Sequence, residues 1–206
     1  MAPPSSALEF EVSAPGKVIL HGEHSVIYGY PAVAGPIGLR TYLRFSHITS
    51  QPEPSAMVVL EFLSLPSTIS VTLASFNTFL AAVDCHGALQ PLECLEQIRT
   101  DGIPFTRTLP SIAEGTTQER FALGATLYII NRVLRAEGIQ SIDPSAVGPG
   151  GFKLSFSSEM SIGAGLGSSA SFGVCLAAGA YALARVLQGQ PVTMDHGKVS
   201  GWAFDS

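Results

Sequence analysis

The chain has 206 residues, 46% of them hydrophobic and 13% charged, with a formal net charge of -5. This composition suits one large or two small domains with a substantial core and excludes a disordered tail. An acidic balance without a Lys/Arg cluster excludes nucleic acid and acidic membrane surfaces as main partners, which leaves small-molecule chemistry. After a Pro/Ser-rich tip, "LEFEVSAPGKVILHG" alternates as a strand does, with a break expected at Pro15-Gly16 before "KVIL" resumes. "YPAVAGPI" and "LRTYLRFSHI" read as two further short strands, the second placing Leu39, Thr41, Leu43 and Phe45 on one face and Arg40, Tyr42 and Arg44 on the other.

"MVVLEFLSL" has the pattern of a strand, and "SFNTFLAAVDCHGALQPLECLEQIRT" that of broken helical material stopped by Pro91. Residues 50–110 carry no functional signal. "TTQERFALGATLYIINRVLRAEG" spaces Phe121, Leu123, Leu127, Ile130 and Leu134 helically, with Thr117 as the expected N-cap and Gly138 as the stop. "FKLSFSSEM" alternates Phe152, Leu154 and Phe156 as a strand, "GAGLGSSAS" follows, and an apolar helix runs to about Leu187. The apolar run Phe172–Leu187, with Arg185 inside it, falls short of the roughly 20 residues of a membrane span, so a buried helix and no membrane partner are expected. "TMDHGKVSGWAFDS" opens a last helix capped by Thr193 or Asp195. Cys85, Cys94 and Cys175, odd in number and scattered, imply neither a disulfide framework nor a zinc site. The N-terminus lacks a secretory pattern, and a reducing, cytoplasmic setting is expected.

Chemistry concentrates in two stretches. A helix start carries unpaired N–H groups and partial positive charge, so a strand–loop–helix with glycines at the bend suits an anion. In "GAGLGSSAS", Gly163, Gly165 and Gly167 let a phosphate approach the backbone, and Ser168 and Ser169 bring hydroxyls for phosphate or a phosphate-bound Mg2+. The spacing is neither a Walker A loop, which needs a lysine after the last glycine, nor the dinucleotide G-x-G-x-x-G. On composition alone, a small-residue helix entrance made for close packing explains the stretch as well as phosphate binding does. The second stretch, "SAPGKVILHGEHSVIYGYPAVA", holds Lys17, Glu23 and His24. Each charge taken singly reads as a solvated surface group. Lys17, however, stands between a Pro-Gly bend and the apolar "VIL", which puts its ammonium at the mouth of a buried strand, where it can hold a phosphoryl oxygen or a substrate hydroxyl.

At these two stretches the chain resembles the GHMP small-molecule kinases, the group of galacto-, homoserine, mevalonate and phosphomevalonate kinases, and "SAPGKVILHGEHSVIYGYPAVA" looks like the mevalonate kinases in particular. "LRTYLRF" and "ERFALGATLYI" resemble further segments, so the likeness covers most of residues 8–48 and 117–206. The resemblance implies an α/β (α+β) fold, a mixed sheet packed with helices, in which residues 1–206 form the N-terminal, ATP-binding portion of a longer kinase. It implies transfer of the γ-phosphoryl of ATP to the 5-hydroxyl of mevalonate with ATP and Mg2+ as cofactors. By position, Lys17 matches the lysine that polarises the hydroxyl and neutralises the transferring phosphoryl group, and Glu23 and His24 match the lining of the mevalonate pocket. Gly163, Ala164, Gly165, Leu166, Gly167, Ser168 and Ser169 match the ATP phosphate loop, Ser169 the serine that contacts Mg2+, and Ser158 a nucleotide contact. The resemblance further leaves room for a homodimer of the intact protein and for a peroxisomal fraction beside the cytoplasmic one.

Three departures accompany the resemblance. Ser161 and Ile162 stand where the group has proline, which loosens the loop entry, and Phe172 stands where tyrosine is frequent. The chain closes on "GWAFDS", ahead of the positions expected for the Mg2+ glutamate and the aspartate base, and Asp205 is given no role in their place. The 206 residues are therefore expected to be weakly active or inactive alone and to leave apolar surface uncovered. A second reading stands beside the enzyme: a non-catalytic truncated isoform, or an incomplete gene model, that binds nucleotide or a partner.

Overall fold

A computed structural model describes residues 9–49, 56–65, 67–82, 116–161 and 163–204. Cys85, His86, Cys94, Pro91, Ile162 and Asp205 lie outside the described residues. In chain order the elements are β1 (Phe10–His21), a 3-10 turn (Val26–Tyr28), β2 (Val33–His47), β3 (Met57–Phe62), β4 (Ser67–Thr72), α1 (Leu73–Ala82), α2 (Thr117–Ala136), α3 (Pro144–Val147), β5 (Gly151–Ser158), α4 (Ser168–Leu187) and α5 (His196–Phe204). Among the described residues the strands form one five-stranded sheet in the order β1-β2-β5-β3-β4. Neighbours are antiparallel except β3 and β5, which run parallel, so the sheet is mixed as expected.

The period-two pattern dictates a one-sided sheet. Leu43 and Phe45 of β2, Phe152, Leu154 and Phe156 of β5, Val58, Leu60 and Phe62 of β3, and Ile69 and Val71 of β4 stand in register on the buried face. The other face is polar: Arg44 pairs with Glu9 at 3.3 Å, and Glu61 takes both Lys153 at 3.3 Å and the Ser155 hydroxyl at 2.7 Å. Aromatic rings weld the buried face, with Phe45 stacked on Phe10 at 5.0 Å and Phe62 on Phe156 at 5.1 Å.

Helix α4 lies against β1 and β2 and touches α2 and α5. Gly179 allows that approach, since a Cβ there would meet both Leu43 Cδ atoms at 2.8 Å. At 20 residues α4 is long and apolar enough, by length and composition, to cross a membrane, so the shorter apolar run counted from Phe172 underestimated it. Here 61% of its most apolar window is buried inside the fold, consistent with a core helix.

Four local expectations need correction. β1 runs through Pro15-Gly16 without stopping: Pro15 lies on an edge strand, where its missing N–H costs no ladder bond, and the irregularity appears as a register shift between Pro15 and Lys17. The two strands read from "YPAVAGPI" and "LRTYLRFSHI" are one strand in two environments; residues 33–40 pair with β1 alone, and from Thr41 onward β5 lies on the other side. Helix α2 is capped one residue earlier than expected, by Thr116, whose hydroxyl accepts from Glu119 N at 3.3 Å while the Glu119 carboxylate accepts from Thr116 N at 2.7 Å. Phe121 does not join the core stripe of that helix but is 52% exposed. Of the two caps weighed for α5, Asp195 is the one used, its Oδ1 accepting from Lys198 N at 3.1 Å. Strand β4, "STISVT", and the short α3 were not foreseen.

Candidate functional site

The loop between β5 and α4 is built on left-handed glycines: φ is 80° at Gly163, 73° at Gly165 and 74° at Gly167. Residues with a Cβ resist this region, which accounts for the three glycines. Gly167 is the N-cap of α4, and among the described residues no side chain caps the helix, so its first N–H groups turn toward the loop without a described side-chain oxygen among them. Ser168 is half-buried and Ser169 exposed in the first turn, with Gly163, Ala164 and Gly165 exposed and Leu166 half-buried before them.

The loop leans on β1. The Lys17 N–H donates to the Leu166 carbonyl at 2.8 Å, at the place where the β1–β2 register shifts. Gly16 makes room, because a Cβ there would collide with the Leu166 oxygen at 2.7 Å and with the Met160 sulfur. The Lys17 stem then passes directly beneath the helix cap: a Cβ on Gly167 would lie 2.6 Å from Lys17 Cγ and 3.2 Å from Cε. Lysine and glycine loop, 146 residues apart in sequence between Lys17 and Gly163, thus form one unit. A helix start with free N–H groups beside an ammonium is suited to a multiply charged anion.

Glu23 and His24 stand elsewhere. Both are exposed on the turn after β1, where Ser25 Oγ donates to the Gly22 carbonyl at 3.2 Å, and among the described residues no hydrogen bond or ion pair joins them to Lys17 or to the loop. Exposed Ile27, Tyr28 and Tyr30 lie in the same connection, with exposed Leu20 and Val33 at the strand ends that flank it. Ser158 closes β5 and is half-buried; its hydroxyl bonds Thr41 Oγ1 at 3.1 Å and accepts from Met160 N at 3.2 Å.

A cleft of about 890 Å³ opens from Ser168 and Ser169. Its walls are apolar, with Phe62, Leu65, Phe121, Ala125, Phe156 and Phe172 prominent, and Ser158 and Gln118 add polar points. Phe172 packs on Phe156 at 5.4 Å, so the ring that replaces the group's tyrosine serves as wall. Sequence reasoning singled out the serine end of this cleft, Ser158, Ser168 and Ser169, but not its apolar end, because Phe62, Phe121 and Phe172 come from three distant segments. No local signal marked that end, since Phe121 reads in the sequence as one of the buried stripe of α2 and its 52% exposure appears only in the structure. Among the described residues no group of three or more His, Cys, Asp or Glu side chains comes together to hold a metal ion.

The family model "GHMP kinases N terminal domain" matches residues 125–196. The chain is similar to the mevalonate kinase of Bos taurus, 32% identical over 92% of this chain and 42% of that one, and to that of Homo sapiens, 36% identical over 81% and 37%. It thus spans about two-fifths of the length of these curated relatives. Among solved structures, the Methanococcus jannaschii mevalonate kinase superposes with a TM-score of 0.56 over 98% of this chain and 46% of its own, at 20% identity, which speaks to the fold. A second crystal structure of mevalonate kinase gives the same TM-score of 0.56 over 95% of this chain. The chain is thus a homologue of mevalonate kinases over about two-fifths of their length, and its residues 125–196 match the GHMP kinase N-terminal domain.

Proposed function

We propose that residues 1–206 form an ATP-binding domain and that the protein transfers the γ-phosphoryl group of ATP to the 5-hydroxyl of mevalonate. The observation that carries this reading is the joint built by Lys17 and the loop, with the Lys17 N–H on Leu166 and its stem under Gly167. Positioning and charge stabilisation do most of the work in phosphoryl transfer, and this joint offers both: a fixed cradle of backbone N–H groups and a cation at its edge. The apolar cleft beyond Ser168 has the size and walls to take a nucleoside, while the loop takes its phosphates. Glu23 and His24, on the far side of Lys17 along β1, are proposed to face the acceptor alcohol.

Mg2+ fits this site in one manner. It keeps water and phosphate oxygens as most of its ligands, and the exposed Ser169 hydroxyl at the start of α4 can supply one more. Bound there, the ion would neutralise charge on the phosphates. A cytoplasmic location accords with this reading.

The test is titration calorimetry of the 206-residue chain with ATP, with and without Mg2+, beside product analysis with γ-labelled ATP and mevalonate. Lys17→Ala is expected to weaken ATP binding about tenfold or more, as loss of a charge-assisted contact does. Ser169→Ala is expected to reduce the gain that Mg2+ gives. ATP binding that neither substitution alters contradicts the assignment. Labelling of an alcohol other than mevalonate would move the substrate and leave the phosphate site in place.

A further inference from the structure

On the buried face of the sheet the apolar pattern ends beneath the loop, and the next in-register pair is Thr41 and Ser158 in place of two hydrophobes. Thr41 is 2% exposed, and so is Ser171 in the first turn of α4. Thr41 Oγ1 lies 2.8 Å from Ser171 Oγ and 3.1 Å from Ser158 Oγ. Ser171 Oγ donates its proton to the Ser168 carbonyl at 2.9 Å, and Ser158 Oγ accepts from Met160 N at 3.2 Å.

A hydroxyl has one proton to give, which fixes the direction of the whole row. Ser171 gives its proton to Ser168, so it must accept from Thr41; Thr41 has then spent its own and must accept from Ser158. The row runs from the Met160 N–H through Ser158, Thr41 and Ser171 to the Ser168 carbonyl. Met160 is at the entry of the glycine loop and Ser168 at its exit. Three hydroxyls therefore close the neck of that loop, and the middle one comes from a different strand. Cys175 Sγ, one turn further along α4, donates to the Thr41 carbonyl at 3.0 Å and ties the same residue to the helix again.

We propose that Thr41 is a positioning residue for the phosphate loop: its buried hydroxyl sets the spacing between loop entry and helix start, and so the aim of the N–H groups that receive the phosphates. It touches no phosphate itself. This rests on the ATP reading above for its ligand, and the spacing is stated independently of it. A consequence concerns Ser158, which lines the cleft: its proton is committed to Thr41, so toward a nucleotide it can act as an acceptor only.

The test compares the full chain with Thr41→Val, close in shape but without the hydroxyl, Thr41→Ser, which keeps it, and Ser171→Ala, which removes its partner. Amide hydrogen exchange over residues 163–171 reads the spacing without any ligand, and calorimetry with Mg-ATP and with adenosine reads its use. Thr41→Val and Ser171→Ala are expected to speed exchange across this segment and to weaken Mg-ATP binding about tenfold, the scale of one buried hydrogen bond, while adenosine binding stays unchanged. Thr41→Ser is expected to restore both. Exchange in Thr41→Val equal to the wild type, or Thr41→Ser as impaired as Thr41→Val, overturns the proposal. A wild-type chain that binds no ATP would defeat the kinase reading and leave the exchange measurement to decide the role of Thr41. Should Thr41→Val not fold, Thr41→Ser and Ser171→Ala carry the same contrast.

Discussion

Replacing Gly167 by alanine and Gly163 by alanine separates two costs that the same mutation type incurs in one loop. Both glycines sit at positive φ, 74° and 80°, where a Cβ costs on the order of 1–2 kcal/mol. Around Gly163 none of the described residues lies within 4 Å of the added methyl, so backbone strain is the effect to expect. At Gly167 the methyl would stand 2.6, 3.2 and 3.3 Å from Cγ, Cε and Cδ of Lys17. The lysine stem can move aside, but only by leaving the helix start, and a displaced ammonium forfeits a charge-assisted contact of about 1.5–3 kcal/mol with a bound phosphate. Gly163→Ala should therefore weaken ATP binding about tenfold, and Gly167→Ala about a hundredfold or more. Calorimetric titration of both variants with ATP, alongside urea unfolding to match their stabilities, measures the difference. Equal affinities in the two variants would refute the argument that Lys17 and the loop act as a unit.

Two further predictions concern the scaffold. Thr116→Ala removes the capping box of α2, whose first turn lines the cleft, and should cost about 1 kcal/mol in urea unfolding; no loss would deny the cap its role. Burial holds the Cys175 thiol at a pKa of about 12. In a Cys85→Ser, Cys94→Ser background it should resist alkylation at pH 8 until the chain is unfolded, and rapid native labelling would contradict the packing of α4 on β2. The sign of its pH dependence follows. The unfolded thiol ionises near its ordinary pKa of about 9 while the folded one stays neutral, so this contribution to stability is full below pH 9 and declines as pH rises toward 12.

How much of this was legible in the sequence depended on whether the signal was local. Phe152, Leu154 and Phe156 gave β5, the three glycines gave the loop, and the apolar run gave α4, because each pattern lies within one element. The break at Pro15-Gly16 was misjudged because an edge strand tolerates proline and the sequence does not say which strand is at the edge. Thr41 carried a pattern violation in plain view, a polar residue in the alternation Leu39, Thr41, Leu43, Phe45. Its meaning needed the partners Ser158 and Ser171, over a hundred residues away. Lys17 was expected at the mouth of a buried strand, and that is corrected: β1 is an edge strand in which Val18 and Ile19 are only half-buried and Leu20 is 72% exposed, and Lys17 is fixed instead by the loop, its N–H on Leu166 and its stem against Gly167.

The central claim is that the Lys17–loop unit receives the phosphates of ATP. Its most direct test is a titration of 15N-labelled chain with ATP and with adenosine, following backbone amide shifts. ATP, and not adenosine, is expected to shift the amides of Gly163, Gly165, Gly167 and Ser168 together with that of Lys17. ATP-induced shifts confined to other segments, or identical shifts with adenosine, would contradict it.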